Sequence, residues 1–293
     1  MTTSPAAATA YDPWFLGTPL ALPGTPAGVE TVELPFTHFT VVLAPERRLA
    51  VLTAVNVDGA SLLEIDRGDD WHLDERVPVD AQTGPEVYAR NDLDRGHLVR
   101  RRDAVWGDRT VARQANVDTF SYVNAAPQAA LFNQGELLWS GLEDYVLEHA
   151  RTYGRRLTVL TAPVFGDDDP AYRGTRVPRR FWKIAAWNAG DETEPVLAAT
   201  AYVLDQSAQL DAIDLGDAGR AAAAPPDLGA YLTYQVPVVD VATLTGLDLG
   251  PLVEADRLPA PVPVGVRPAE LDRGSAALAT RWRRLASASD VTL

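Results

Sequence analysis

The chain has 293 residues, a formal net charge of −14 and no cysteine. The absence of cysteine excludes disulfides and thiolate metal sites, so any metal must be held by oxygen or imidazole ligands. No run approaches the roughly 18 uninterrupted apolar residues that a membrane helix needs, which predicts a soluble chain without a membrane partner.

Residues 1–28 are rich in Ala, Pro, Thr and Gly, which predicts an irregular extension or a strap over the surface. This segment has neither a secretory nor a mitochondrial targeting pattern. As given, the protein is therefore expected in the cytoplasm, with secretion the alternative if a leader was removed. Residues 29–258 are expected to form one mixed α/β domain, and residues 259–293 a tail.

The hydrophobic patterns predict several strands and one long helix. Runs 36–43 and 49–55 are β-prone and separated by a Pro-containing turn, so they are expected to pair as a hairpin. Apolar residues recur at helical spacing over 132–153. Further predictions are strands at 118–123, 157–162, 181–187 and 196–204, a solvated acidic loop at 167–169, and a short helix ending near Leu285.

Positive charge is concentrated in two segments of this acidic chain. Residues 90–113 contain seven arginines against four aspartates, and residues 173–183 contain five cations and no acid. Since salt screens remote charges over about 8 Å, a ligand at either segment feels mainly the local cations. Phosphate binding is therefore compatible with the composition, although arginine runs are more often solvated surface.

His97 is the histidine whose neighbours point to chemistry. It follows Asp94-Arg95-Gly96 and precedes three arginines at 100–102, whereas His38 and His149 are expected to be structural and His72 exposed. Neighbouring cations disfavour the charged imidazolium. A neutral imidazole can take a proton from water, and the same arginines would attract a polyanionic substrate.

Downstream motifs complete a recognisable pattern. An Asn at a helix start is usually a cap, but here several such pieces follow His97 in order. They are Asn124-x-x-Pro127-Gln128, Asn133-Gln134-Gly135, Trp139 and Leu142-Glu143. Together with Asp94-Arg95-Gly96-His97, they resemble the DNA/RNA non-specific endonuclease family, the ββα-metal nucleases that include mitochondrial endonuclease G. The similarity runs from about Leu34 to Leu258.

The resemblance implies an α+β fold with a mixed sheet core and a ββα-metal motif at the active site. It implies a Mg²⁺-dependent endonuclease, with Mn²⁺ as the alternative ion, that cleaves DNA and RNA to 5′-phosphate products. An inhibitor protein or an activating partner stays open.

The resemblance also assigns roles by position. His97 would be the general base, Asn133 the protein ligand of the metal, and Glu143 would hold metal-bound waters. Arg95 and Arg67 would clamp the scissile phosphate, where bidentate guanidinium contacts suit the developing charge. The other site residues implied are Asn124 as an organiser of the site and Asp94, Gln128, Arg100, Arg179 and Arg180 on the substrate side.

Two departures from the family pattern and two rival hypotheses accompany this assignment. Two additional residues separate Asn133 from Glu143, and Leu147 stands where many members carry Arg; Arg151, Arg179 or Arg180 could replace it. One rival is a weakened nuclease that only binds nucleic acid or a partner. The other is an unrelated α/β protein in which the motif is coincidental.

Overall fold

A computed structural model describes residues 10–130, 147–148, 150–191, 193–213, 232–258 and 282–285. In chain order the strands are β1 Val32–Phe36, β2 Phe39–Ala44, β3 Leu49–Asp58, β4 Leu93–His97, β5 Ala125–Ala129, β6 Arg156–Val164, β7 Ala171–Tyr172, β8 Thr175–Arg176, β9 Arg180–Asn188, β10 Leu197–Asp205, β11 Leu232–Val236 and β12 Arg283–Arg284. The helices are α1 Pro85–Tyr88, α2 Arg101–Ala104, α3 Arg109–Asp118, Ser207–Ala212, Val238–Thr245 and Pro251–Glu254. Two short 3₁₀ turns lie at Val79–Ala81 and Tyr122–Asn124.

Eight strands form one sheet in the order β1-β2-β3-β6-β9-β10-β11-β12. Every pairing of this sheet within the described residues is antiparallel. The predicted hairpin is confirmed as β2 and β3, and the three later strand predictions correspond to β6, β9 and β10. The α+β class is confirmed.

Both faces of the sheet are covered, which explains why its central strands are almost continuously apolar. One face packs against residues 11–20 and the helices Val238–Thr245 and Pro251–Glu254. The N-terminal segment is fixed there by polar contacts, because the Tyr11 hydroxyl donates to Leu20 O (2.6 Å) and Asp12 N donates to the Asn56 side chain (2.6 Å). It therefore lies across the sheet as a strap.

The opposite face carries the two-stranded sheet of β4 and β5, with helices α1 to α3 around it. The strand predicted at 118–123 is wrong. Helix α3 runs to Asp118, with Asp108 capping its N-terminus through Thr110 N (2.8 Å), and the chain pairs with β4 only from Ala125 onward. Residues 118–123 instead form a turn, in which the side chains of Phe120 and Val123 are both buried.

Three other predictions meet the structure in part. The predicted helix 132–153 lies largely outside the described residues; residues 147–148 and 150–153 are helical, as is Ala130. The acidic loop is not wholly solvated, because Asp169 is buried and accepts hydrogen bonds from the backbone N–H groups of Gly166 and Arg179 (both 2.9 Å). The tail is described only at 282–285, where Arg283–Arg284 form a strand against β11 rather than the end of a helix.

Among the helices within the described ranges, none combines the length and apolar character of a membrane span.

Candidate active site

The Asp94-Arg95-Gly96-His97 motif lies on β4, which pairs with β5 in a two-stranded sheet. Its strands are antiparallel, with Arg95 opposite Pro127 and His97 opposite Ala125. Because successive side chains of a strand point to opposite faces, Arg95 and His97 share one face and Asp94 and Gly96 share the other. The base and one candidate phosphate clamp are therefore placed side by side by strand geometry alone.

Gly96 is needed for a steric reason. A Cβ at this position would lie 2.1 Å from the side-chain Cδ and Oε1 atoms of Gln128, the residue that pairs with Asp94 across the hairpin. Gln128 is fully buried, and neither its amide nitrogen nor its amide oxygen has a hydrogen-bond partner within the described part of the chain. Gly96 thus makes room for a buried amide whose hydrogen-bonding capacity is unused.

Asn124 holds the end of β4 in place. Its Oδ1 accepts from Val99 N (2.8 Å), and its Nδ2 donates to the carbonyl oxygens of Val99 and Thr119 (both 3.0 Å). The backbone carbonyl of Asn124 also accepts from Leu98 N (2.9 Å). All of these bonds go to backbone groups beside His97, so the geometry makes Asn124 a positioning residue.

His97 is half-buried, and its Nε2 is inaccessible to solvent with no hydrogen-bond partner among the described residues. Burial is the main cause that lowers the pKa of His97 to about 3, and the positive charges of Arg67, Arg101, Arg95 and Arg100 lower it further. Both effects act against the imidazolium. The imidazole is therefore uncharged at neutral pH.

Arg67 comes close to His97 from a different part of the chain. It lies exposed on the loop that follows Ile65, and it is the largest charge effect on the pKa of His97. Arg101 anchors this loop, because its Nη1 donates to Ile65 O (2.8 Å) and to Asn116 Oδ1 on α3 (3.1 Å). Arg67 and Arg95, both predicted to contact the scissile phosphate, thus act electrostatically on the same imidazole.

Arg95 and Arg100 complete the cationic surroundings of His97. The Arg95 guanidinium lies over the Trp71 ring at 5.2 Å and is 3.9 Å from Asp69, a long and exposed ion pair. Arg100 is half-buried and precedes α2 as its N-cap residue. Asp94 is half-buried on the other face of β4.

Aromatic residues around His97 were missed by the sequence analysis. Trp71 lies 4.7 Å from the imidazole between ring centroids, and Phe120 lies 5.2 Å from it in an edge-on arrangement. These rings supply much of the apolar surrounding that desolvates the imidazole. The one sequence signal is that Trp71 is the single Trp of the polar segment 61–89 and lies four residues after Arg67.

The second cationic segment is used differently. The Arg179 guanidinium donates to Asp211 Oδ1 (2.8 Å) and lies 3.5 Å from Asp168, and the Asp211 hydrogen bond is the main cause that raises the pKa of Arg179. Arg180 begins β9 opposite Val164 and Asp205. No contact among the described residues joins Arg179 or Arg180 to His97, so their role towards substrate stays a prediction.

The predicted metal ligand Asn133 and the water-holding Glu143 lie outside the described residues. Within the described ranges, no group of three His, Asp or Glu side chains is placed to hold a metal ion. Leu147 is buried in the core, and Arg151 lies within ion-pair distance of Glu64 (3.8 Å) and Glu148 (3.9 Å). The described part of the site therefore provides the imidazole and the cations, but no metal-binding cluster of its own.

His38 and His72 are placed as expected. The His38 ring is buried, stacks on Trp106 at 3.5 Å, and its Nδ1 lies 2.9 Å from Ala104 O. His72 is exposed on the surface loop. His149 lies outside the described residues.

Comparison with known proteins gives three similarities. A family model described as DNA/RNA non-specific endonuclease matches residues 16–256. An uncharacterized protein, y4fB, of Sinorhizobium fredii (strain NBRC 101917 / NGR234) is 39% identical over 236 residues, which cover 76% of this chain and 35% of that protein. The chain thus spans about a third of the length of the curated relative that it matches.

A solved structure shares the fold. The crystal structure of the EndoG/EndoGI complex, concerned with the mechanism of EndoG inhibition, superposes with a TM-score of 0.54 and 19% sequence identity. The match covers 73% of this chain and 84% of that chain.

Proposed function

Because the chain belongs to the DNA/RNA non-specific endonuclease family, we propose that it hydrolyses phosphodiester bonds in DNA and RNA with little sequence preference. His97 acts as the general base in this proposal, and the products carry 5′-phosphates. The feature that supports it most directly is an imidazole whose pKa is lowered by burial and by the positive charges of four arginines. The arginines favour the neutral form of the imidazole. Their positive charge also attracts the polyanionic substrate.

The low pKa of His97 has a consequence for catalysis. A base with a pKa of about 3 is weak at neutral pH, since general bases work best when their pKa lies near the working pH. A bound phosphodiester brings negative charge next to the same guanidinium groups and offsets their effect. Substrate binding is therefore expected to raise the pKa of His97 and strengthen the base where it is needed.

Arg95 and Arg67 are the proposed phosphate clamp. They approach His97 from β4 and from the loop after Ile65, and the ion pair of Arg95 with Asp69 is long and exposed. A guanidinium stabilises the charge that develops on the phosphate oxygens during in-line attack. Because such contacts fall on phosphate rather than on base edges, affinity should fall steeply with salt and vary little with sequence.

The family is typically metal-dependent, and Mg²⁺ is the proposed ion, with Mn²⁺ as the alternative. Asn133 follows helical Ala130 by three residues, and Ala130 N donates to Asp92 O (2.8 Å) next to β4. Asn133 would hold the ion and Glu143 its waters, which suits an ion that keeps much of its hydration shell; when bound, the ion would stabilise charge on the phosphate and the leaving oxygen.

A partner protein is a further part of this proposal. The fold neighbour is an EndoG in complex with EndoGI, in a structure concerned with inhibition. An inhibitor or an activating partner would restrain a nuclease that cuts without sequence preference. The uncharacterized relative is about three times as long as the matched region, so regulation by additional domains is equally open to test.

Digestion of plasmid DNA and of a folded RNA tests the proposed activity. Wild-type protein should cleave both with Mg²⁺ and neither with EDTA. His97→Ala should lower the rate by about 10³-fold, since a positioned general base contributes 10²–10⁴-fold. Asn133→Ala should raise the Mg²⁺ requirement or eliminate turnover.

Circular dichroism and the unfolding midpoint control for folding of each variant. Absence of cleavage by the wild type with every divalent ion tried would favour the weakened, binding-only family member. Rapid cleavage by His97→Ala would contradict the base assignment.

A further inference from the structure

A pocket opens next to His97, and Trp71 is one of the residues that line it. Its volume is about 770 Å³, which is large enough for an organic ligand. Its wall is largely apolar and aromatic. The apolar side chains that line it include Trp71, Leu73, Val77, Pro78, Val79 and Tyr122.

Trp71 lines this pocket and also lies against the imidazole of His97. Its ring centroid lies 4.7 Å from that of His97 and 5.6 Å from that of Tyr122, which also lines the pocket. The Arg95 guanidinium lies over the same indole at 5.2 Å. One side chain therefore contacts the proposed base, one proposed phosphate clamp and the pocket.

The pocket has no buried uncompensated charge within the described residues. Asp74 is buried, but its carboxylate accepts from Arg76 Nε (2.9 Å) and Nη2 (2.6 Å). His72 and Glu75 are exposed. The pocket therefore favours a flat, uncharged group over an ion.

We propose that this pocket binds the nucleobase next to the scissile phosphate, an inference that rests on the proposed function. A ring stacked on Trp71 lies one stacking distance, about 4.5–7 Å, from the indole and so close to a phosphate held at His97. Stacking on an aromatic side chain is tolerant of sequence because every base has a flat face. The pocket thus adds affinity without adding base specificity.

The pocket also determines the preferred substrate class. A base inside a duplex must leave its stack to reach such a pocket, and this step costs free energy that a single strand does not need. We therefore expect single-stranded DNA and RNA to be cut faster than duplex DNA of the same sequence. The preference depends on the pocket rather than on His97.

An oligonucleotide with one tetrahydrofuran abasic position tests the proposal. Cleavage at each bond of this single strand and of its unmodified parent is mapped on a gel. Wild-type protein should cut the bond flanking the abasic position about 10-fold more slowly than the same bond in the parent. Trp71→Leu should cut both at the same rate, since the stacking partner is absent.

Because Trp71 contacts His97, a second variant leaves the base untouched. Val79 is 68% exposed at the pocket. Val79→Trp should fill the pocket and cut the parent about 10-fold more slowly while cutting the abasic bond at the wild-type rate. Trp14→Leu removes a 65% exposed Trp of the N-terminal strap and is the matched control, which should behave as wild type on both strands.

Equal cleavage of parent and abasic strands by the wild type would overturn the base pocket while leaving the nuclease assignment intact. Binding of two dye-labelled strands, the parent and a strand with several abasic positions, to wild-type protein in EDTA decides the question even without cleavage and is measured by fluorescence anisotropy. A roughly 10-fold weaker Kd for the strand with several abasic positions, lost in Val79→Trp, supports the pocket. Equal Kd values would overturn it.

Discussion

The two arginine-rich segments look alike in sequence, but Arg95 of the first and Arg179 of the second lie in different surroundings. In residues 90–113, the positive charges of Arg95, Arg100 and Arg101 lower the pKa of His97, whose Nε2 has no hydrogen-bond partner within the described residues. In residues 173–183, Arg179 is hydrogen-bonded to Asp211 and close to Asp168. The difference is the partner that each cation has, not the number of cations.

This difference shows how a strongly acidic chain can contain a site for a polyanion. A cation paired with a carboxylate contributes little net field, and an exposed pair of this kind also contributes little stability. A cation next to a neutral imidazole retains its field and lowers the pKa of that group. Local pairing therefore decides function where net charge does not.

The largest expected contrast between the segments is in activity. Arg95→Ala should lower the cleavage rate by about 10²-fold, since removing one donor to a developing oxyanion costs about 2.7–4 kcal/mol. Arg179→Ala is the matched control and should stay within about threefold of wild type, because its guanidinium is already bound to carboxylates. Initial rates on one plasmid substrate measure both. Equal losses would show that the second segment also contacts substrate.

A smaller effect is expected on protein stability when the two-stranded sheet that carries His97 is perturbed. Gly96→Ala would place a Cβ 2.1 Å from the buried Gln128 side chain, and overpacking of this kind costs about 1–3 kcal/mol of unfolding free energy. Urea unfolding measures the loss.

Gln128→Ala in the same chain should remove the clash. The double variant is therefore expected to be more stable than the sum of the two single effects predicts. Simple additivity would show that Gly96 is needed for another reason, such as backbone conformation.

The smallest expected effect is on the pH dependence of stability. The pKa of His97 is lowered by burial and by Arg67, so the unfolded chain binds the proton at higher pH than the folded chain does. Stability from this group is therefore present above about pH 6.5 and is lost as pH falls towards 3. Between pH 7 and pH 5.8, the unfolding free energy of wild type should fall by about 1 kcal/mol more than that of His97→Gln. Parallel losses would show that His97 titrates normally in the folded protein.

Much of the fold was predictable because its signals are local. The hairpin of β2 and β3 and the strands β6, β9 and β10 are long apolar runs bounded by turns, and all were predicted close to their observed bounds. Helix α3 was missed because its sequence, RTVARQANVD, is polar and exposes Val111 and Val117. The segment after it has apolar residues that alternate with polar ones, a pattern that predicts a strand. In the structure these apolar side chains pack in a turn instead.

The site was predictable only where its residues lie in one motif. The Asp94-Arg95-Gly96-His97 motif lies on β4, and Asn124 directly precedes β5, the strand that pairs with β4. Both belong to the family's sequence pattern, so they could be recognised together. Trp71 and Phe120 reach His97 through tertiary packing, so spacing along the chain gave no indication of them. The burial of Asp169 has the same origin, since its partners are backbone N–H groups placed by the loop.

The central claim is that burial and four arginines keep the His97 imidazole uncharged in the free protein. Four histidines are present, so the imidazole signals can be resolved by NMR and His97 assigned by its loss in His97→Gln. The account predicts that this signal keeps the position of the neutral imidazole from pH 8 down to pH 5.5. A titration with a midpoint at or above the ordinary value of about 6.5 would contradict it.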